Sequence, residues 1–370
     1  MRVAIVGRTY LVAANRVKWK YLPGDVEIAF VTPDWIPHAL GRYAVERDSE
    51  SAHYIVRGYW PGRLSGFALE PFSLFRALKH FKPDLIQVDE EPSSVACAEA
   101  CLYARLLGSK VIFFTWENLV TRYPFPFNML RRLSLRCADG AIAGNQEAAH
   151  LLRASGFRGT LAVIPQLGLD PTTFAPRRNE ELRGSLGLST FTIGYIGRLV
   201  PEKGMWTLLN ALTVQGGDWQ CLIVGDGPLR QHWLEAVERM GLSSRIRWIP
   251  PVAHQEVPLY LNAMDVLVLP SLSTERWKEQ FGHVLIEAMA CEVPVIGSNS
   301  GAIPEVIGDA GLIVPEGDAQ ALAQAISRLR DHPEERIALA QKGRARVLAN
   351  YTNEKIAQAT YTFWRRVMEQ

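Results

Sequence analysis

The chain predicts an α/β protein made of two parallel sheets, each covered by crossover helices. Two observations predict this. Short β-branched runs alternate with longer helical patterns along the whole length, the sequence signature of parallel strands joined through helices. The alternation then restarts after a polar, proline-containing break between Asp170 and Glu181. A length of 370 residues suits two domains of ordinary size.

The strands can be placed in order. In the first half they are Val3–Gly7, Val26–Thr32, His53–Gly58, Leu85–Asp89, Lys110–Thr115, Gly140–Ala143 and Thr160–Ile164. In the second half they are Phe191–Ile196, Gln220–Val224, Ile246–Ile249, Val266–Leu269, Val293–Gly297 and Gly311–Val314. The expected domains are therefore 1–175, 176–350 and a final helix over 351–370, with Thr352 or Asn353 as its cap. That helix is crowded with Ile356, Ala359, Tyr361, Phe363, Trp364 and Val367, so it reads as a packing element on the first domain. Sheets of this kind bind ligands at the carboxyl ends of their strands, so a cleft between the two domains is the expected site.

Composition removes several classes of function. Apolar residues make up 48% and charged residues 21%, a globular balance rather than a disordered one. No run approaches the roughly 20 apolar residues of a membrane span. The stretch Met1–Gly7 reads as a buried strand and not as a signal peptide. The five cysteines (Cys97, Cys101, Cys137, Cys221, Cys291) are odd in number and sit in apolar runs, which fits reduced thiols in a cytoplasmic protein. Cys97 and Cys101 share a helical face, but two further metal ligands are missing nearby.

The net charge of +2 hides an asymmetry. Residues 1–168 carry 20 Lys/Arg against 15 Asp/Glu, while residues 169–370 carry 20 against 23. A mildly basic first half fits an anionic acceptor or peripheral contact with the inner membrane face, and is too weak for nucleic acid. The stretch Arg122–Arg136 mixes aromatic, apolar and basic residues. It reads as a packing helix with exposed arginines, or as a contact for a membrane or lipid-linked acceptor.

Two motifs carry chemistry. Glu279-Gln-Phe-Gly-His-Val-Leu-Ile-Glu287 holds two carboxylates eight positions apart around a Phe281-Gly282 turn that opens a helix. The free N–H groups of such a helix start face anions, and flanking carboxylates can grip hydroxyls. Gly194-Tyr-Ile-Gly197-Arg198-Leu-Val-Pro-Glu-Lys203-Gly204 places two cations on a loop after a strand. Arg198 can fork onto a diphosphate and Lys203 can add a point charge. A dinucleotide enzyme would need Gly-x-Gly-x-x-Gly after a strand. Gly7 stands alone and Gly225-Asp-Gly227 continues as Pro-Leu-Arg230, which argues against that class.

The order of these motifs, with Val224-Gly-Asp226-Gly-Pro228, Asp265-Val-Leu-Val-Leu-Pro-Ser271, Pro294-Val-Ile-Gly297 and Ser300-Gly301-x2-Pro304-Glu305, resembles the family 4 glycosyltransferases. These are retaining enzymes of the GT-B fold, with two Rossmann-like domains, a cleft and a C-terminal crossover helix. The likeness is dense over residues 190–320 and weak before them.

The resemblance implies transfer of a hexosyl unit from a UDP-, GDP- or ADP-sugar to a hydroxyl. The acceptor would be a glycan, a lipid-linked molecule or a small molecule, in polysaccharide or other glycoconjugate synthesis, without metal or further cofactor. Arg198 and Lys203 would bind the diphosphate beside Gly197. Glu287 would bind the ribose and Glu279 the sugar, near the transferring centre. Backbone groups of Phe281, Gly282, His283 and Val284 would face phosphate or sugar oxygens, and the base would lie on Pro250–Ala253, read at Val252. A non-catalytic nucleotide-sugar-binding partner of another transferase is the alternative.

The first half departs from the family pattern. Where relatives carry Gly-Gly after the first strand, this chain has Gly7-Arg8-Thr9-Tyr10. Arg8 could contact phosphate or pair with a carboxylate. Where relatives have a histidine near the end of the fifth strand, it has Trp116-Glu117-Asn118, so Glu117 and Asn118 are the substitute contacts to sugar or acceptor. Asp89-Glu90-Glu91 reads either as a helix N-terminus or as a group orienting an acceptor hydroxyl.

Overall fold

In this computed structural model, residues 1–38, 41–46 and 52–370 are described. The chain divides into two compact units. The first comprises Met1–Gly168 and Asn353–Gln370, and the second Leu169–Thr352.

The first unit is built on a seven-stranded parallel sheet. Its order is Thr160–Val163, Gly140–Ala143, Lys110–Thr115, Leu85–Val88, Arg2–Val6, Glu27–Pro33 and Ala52–Val56. Successive side chains alternate between faces, so Ala4 and Val6 join the core under helices Pro71–Phe81 and Val95–Leu107. Val3 and Ile5 join the opposite core with Trp19, Phe363 and Trp364. Burial on both faces explains why these strands read as continuous apolar runs.

Helix Asn353–Met368 closes that second face. Trp364 stacks on Trp19 at 5.3 Å, and its indole N–H donates to Gln87 Oε1 at 2.7 Å. Two small hairpins, Trp35–His38 with Gly41–Ala44 and Gly58–Tyr59 with Ala68–Leu69, were not expected. Helix Phe127–Cys137 buries only Ser134 and Leu135, and leaves Met129 exposed, as are the preceding Val120 and Phe125. The free cysteines Cys97, Cys101, Cys221 and Cys291 are buried and Cys137 is half-buried.

The second unit holds a six-stranded parallel sheet. Its order is Ile246–Ile249, Trp219–Val224, Phe191–Ile196, Val266–Leu269, Val295–Ser298 and Leu312–Val314. Each sheet reverses its winding once. In the first the reversal lies between Arg2–Val6 and Leu85–Val88, and in the second between Phe191–Ile196 and Val266–Leu269. Loops splay apart beyond the carboxyl ends at such points, which makes both positions natural ligand sites.

Candidate functional site

Four of the side chains expected at the site, Arg198, Lys203, Glu279 and Glu287, lie on the loops and helix that follow the central strands of the second unit. Strand Phe191–Ile196 ends in Gly197 and Arg198, and a tight turn, Pro201–Lys203, follows. Gly204 closes that turn at φ +69°, where a Cβ would stand 1.8 Å from the Pro270 carbonyl oxygen. Only glycine permits both the left-handed backbone and this approach. The turn is thereby pressed onto the end of strand Val266–Leu269.

This approach brings Lys203 to Glu279, although 76 residues separate them. Lys203 Nζ lies 2.5 Å from Glu279 Oε2, and Ser271 Oγ donates to the same oxygen at 2.8 Å. The ammonium also sits 5.0 Å from the centre of the Trp277 ring. Glu279 is only 6% exposed, so its charge is neutralised inside the protein rather than by water. The loop through Gly301 (φ +49°) packs on the Glu279 backbone, whose carbonyl accepts from Ala302 N–H at 2.9 Å.

Helix His283–Ala290 starts directly after Gly282, and no side chain caps it. The N–H groups of His283 and Val284 therefore have no intrahelical acceptor. Phe281 is buried and packs against Tyr351 and His283, which anchors the turn. One turn into the helix, Glu287 Oε1 accepts from His254 Nε2 at 3.0 Å.

Arg198 is exposed, and none of the hydrogen bonds or ion pairs among the described residues engages its guanidinium. It borders a cavity of about 240 Å³ lined also by Gly197, Asp226, Pro251, Val252 and Val257. Asp226 is a turn residue there, its carboxylate accepting from Gly227 N–H at 2.7 Å. Glu305 sits in the first turn of helix Ile303–Ile307.

The predicted residues of the first unit are placed differently. Arg8 makes a partly buried ion pair with Glu90 at 2.5 Å, donates to the carbonyls of Pro61 and Arg63, and lies over the Phe67 ring. A phosphate would have to compete with all of these. Glu117 accepts from Tyr123 Oη at 3.0 Å and pairs with Arg131 at 3.5 Å.

Asp89-Glu90-Glu91 is not a helix N-terminus. The next helix starts at Val95 and is capped by Ser94 Oγ, so the acids remain in the loop. Asp89 accepts from Tyr10 Oη at 2.6 Å and Gln87 Nε2 at 2.7 Å. Glu91 accepts from Trp116 N–H at 2.9 Å and from Thr115 Oγ1, while burial pushes its pKa up to about 7. All three carboxyls line a cavity of about 490 Å³ at the first sheet's reversal, with Arg8, Trp116 and Gln166. Trp116 packs over Gly144, and its indole N–H donates to Gln166 Oε1 at 3.2 Å.

Sequence reasoning did not anticipate His254 as the partner of Glu287, Trp277 beside Lys203, or Glu90 as the carboxylate that holds Arg8. Ser271 was visible only as part of a motif. Among the described residues, no group of three or more metal-ligating side chains converges, and no helix is long and apolar enough to cross a membrane.

Residues 190–332 match the family model described as glycosyl transferases group 1. The chain is 27% identical over 312 residues to 2-deoxystreptamine glucosyltransferase of Streptomyces kanamyceticus, covering 78% of this chain and 79% of that protein. It is 29% identical over 273 residues to 2-deoxystreptamine N-acetyl-D-glucosaminyltransferase of Streptomyces fradiae, covering 66% and 62%. Sucrose-phosphate synthase from Thermosynechococcus elongatus superposes with a TM-score of 0.73 at 24% identity, over 100% of this chain and 99% of that one. Anabaena HepE in complex with UDP superposes with a TM-score of 0.77 at 18% identity, over 99% and 100%. At these identities the structures establish a shared fold.

Proposed function

We propose that this chain, which belongs to the family 4-like glycosyltransferases of GT-B fold, moves a hexosyl unit from a nucleoside-diphosphate sugar to a hydroxyl with retention of configuration. The observation that carries the site assignment is the convergence of Lys203, Glu279 and Ser271 beside the uncapped start of helix His283–Ala290. A cation, a buried carboxylate and free N–H groups at one sheet reversal suit a diphosphate joined to a polyol.

In this reading the diphosphate meets Arg198, Lys203 and the N–H groups of His283 and Val284. The ribose meets Glu287, and the base enters the cavity at Pro251 and Val252. As the bond from the anomeric carbon to the diphosphate breaks, negative charge grows on the leaving oxygen. Arg198, Lys203 and the helix start stabilise that charge, in the way preorganised donors lower barriers. The acceptor oxygen forms the new bond on the same face and its proton passes to the departing phosphate, so no side-chain base is needed. Glu279 holds sugar hydroxyls and faces the positive charge that develops on the ring.

The first unit's cavity is the acceptor pocket of this proposal, with Trp116 as a flat wall for a ring-shaped molecule. Peripheral membrane contact through Val120, Phe125 and Met129, flanked by Arg122 and Arg132, belongs to the same reading. Incubation with UDP-, GDP- and ADP-sugars and a panel of hydroxyl acceptors tests it. Acceptor-dependent nucleotide release is expected. Nucleotide binding with no turnover on any acceptor would favour a non-catalytic partner.

A further inference from the structure

Glu287 has an internal partner that the proposed reaction does not use. A carboxylate only accepts, so the 3.0 Å contact places a proton on His254 Nε2. His254 opens the turn His254–Glu256, which is locked by Ala253 N–H donating to Glu256 Oε2 at 3.0 Å and Glu256 N–H donating to Ala253 O at 2.8 Å. The imidazole also rests on Phe174, with ring centres 5.3 Å apart. The residues just before it, Pro251 and Val252, line the cavity beside Arg198. His254 thus ties the cavity wall to the carboxylate. Its side chain is 69% exposed and that of Glu287 12%, so the imidazole exchanges protons with solvent while the carboxylate stays shielded.

We infer that His254 is the positioning residue of the nucleotide site, holding Glu287 by Oε1 so that Oε2 is presented to the ribose diol. This rests on the assignment of Glu287 to the ribose. Among the described residues no hydrogen bond reaches Oε2. Among the described residues, Glu287 and His283 on the helix interact with the imidazole. Its own turn carries Glu256, bonded to Ala253, and the loop carrying Phe174 bears Asp170, which accepts from Thr172 and Thr173, and Arg177, which donates to the Thr172 carbonyl.

The hydrogen bond to Glu287 raises the pKa of His254 above its ordinary 6.5, against the opposing effect of burial. The charged pair is therefore fully formed below that value and is lost as pH rises through the raised one. An imidazolium beside the site also favours an anionic diphosphate. Both effects make nucleotide affinity highest at low pH.

The test titrates UDP-glucose and GDP-mannose calorimetrically into the full chain between pH about 5.5 and 8.5, a window in which neither diphosphodiester ionises. Wild-type affinity is expected to fall several-fold across it. His254→Ala should weaken binding about tenfold at the acid end and flatten the profile, as loss of a charge-assisted hydrogen bond implies. His254→Gln, whose amide donates from a similar place without titrating, should recover most of the affinity with a flat profile. Wild-type affinity and slope in His254→Ala would overturn the inference. If Glu287→Ala loses binding while both His254 variants behave as wild type, only the positioning role fails. If Glu287→Ala binds normally, the ribose assignment fails and this inference with it.

Discussion

Lys203 and Glu279 form an ion pair with Nζ 2.5 Å from Oε2, joining a loop after one central strand to a loop after its neighbour. The pair couples the proposed phosphate cation to the proposed sugar carboxylate. Lys203→Ala is expected to lower kcat by about 10²-fold, the size of losing one charged group aimed at a developing anion. Glu279→Gln should lower kcat with little effect on nucleotide affinity. Steady-state kinetics checks both, and a Glu279→Gln effect confined to KM would place that carboxylate away from the transferring centre.

Gly204→Ala should disturb the same pair from a distance. The added Cβ would stand 1.8 Å from the Pro270 carbonyl oxygen at φ +69°. A cost of about 1 to 3 kcal/mol is expected, together with displacement of Lys203. Thermal unfolding and kcat should fall together. An unchanged melting temperature would contradict the packing described.

The C-terminal helix gives a purely structural prediction. Trp364→Phe removes the indole N–H from Gln87 Oε1, a buried 2.7 Å bond, and shrinks the stack on Trp19. Leaving that acceptor unpaired should cost about 1 to 3 kcal/mol in denaturant unfolding. Stability equal to wild type would mean that Gln87 finds another donor.

Glu91 predicts a pH dependence. Burial raises this acid to about 7, so its folded form prefers the proton. Below about 4.5, where it is protonated whether folded or not, it costs nothing. As pH rises through 4.5 towards 7 the unfolded chain loses its proton first, and the native state is penalised. Glu91→Gln should therefore melt higher than wild type at pH 8, by up to about 3 kcal/mol of stability, and alike at pH 4. Equal melting at pH 8 would refute the burial penalty.

The central strands of both sheets were legible because burial on two faces writes a continuous apolar run into the sequence. Thr160–Val163 and Gly140–Ala143 are only four residues long and were still placed. The hairpins were not legible. Gly58–Tyr59 pairs over two residues, and Trp35–His38 contains Pro37, which argues against a strand. Arg198, Lys203, Glu279 and Glu287 could be read because their spacing around glycine turns is itself a pattern. Their partners could not. His254 is joined to Glu287 and Trp277 to Lys203 by loop geometry, which leaves no period in the sequence. Arg8 shows the same limit: an arginine after a strand reads equally well as a phosphate ligand or as one half of an ion pair, and here Glu90 holds it.

The central claim is that the second unit's carboxylate and cation grip a nucleoside diphosphate. Titration of UDP and GDP into wild type, Arg198→Ala and Glu287→Ala tests it most directly. One nucleotide should bind the wild type, and each variant should bind it at least about tenfold more weakly while melting within a few degrees of wild type. Unchanged affinity in both variants would contradict the account.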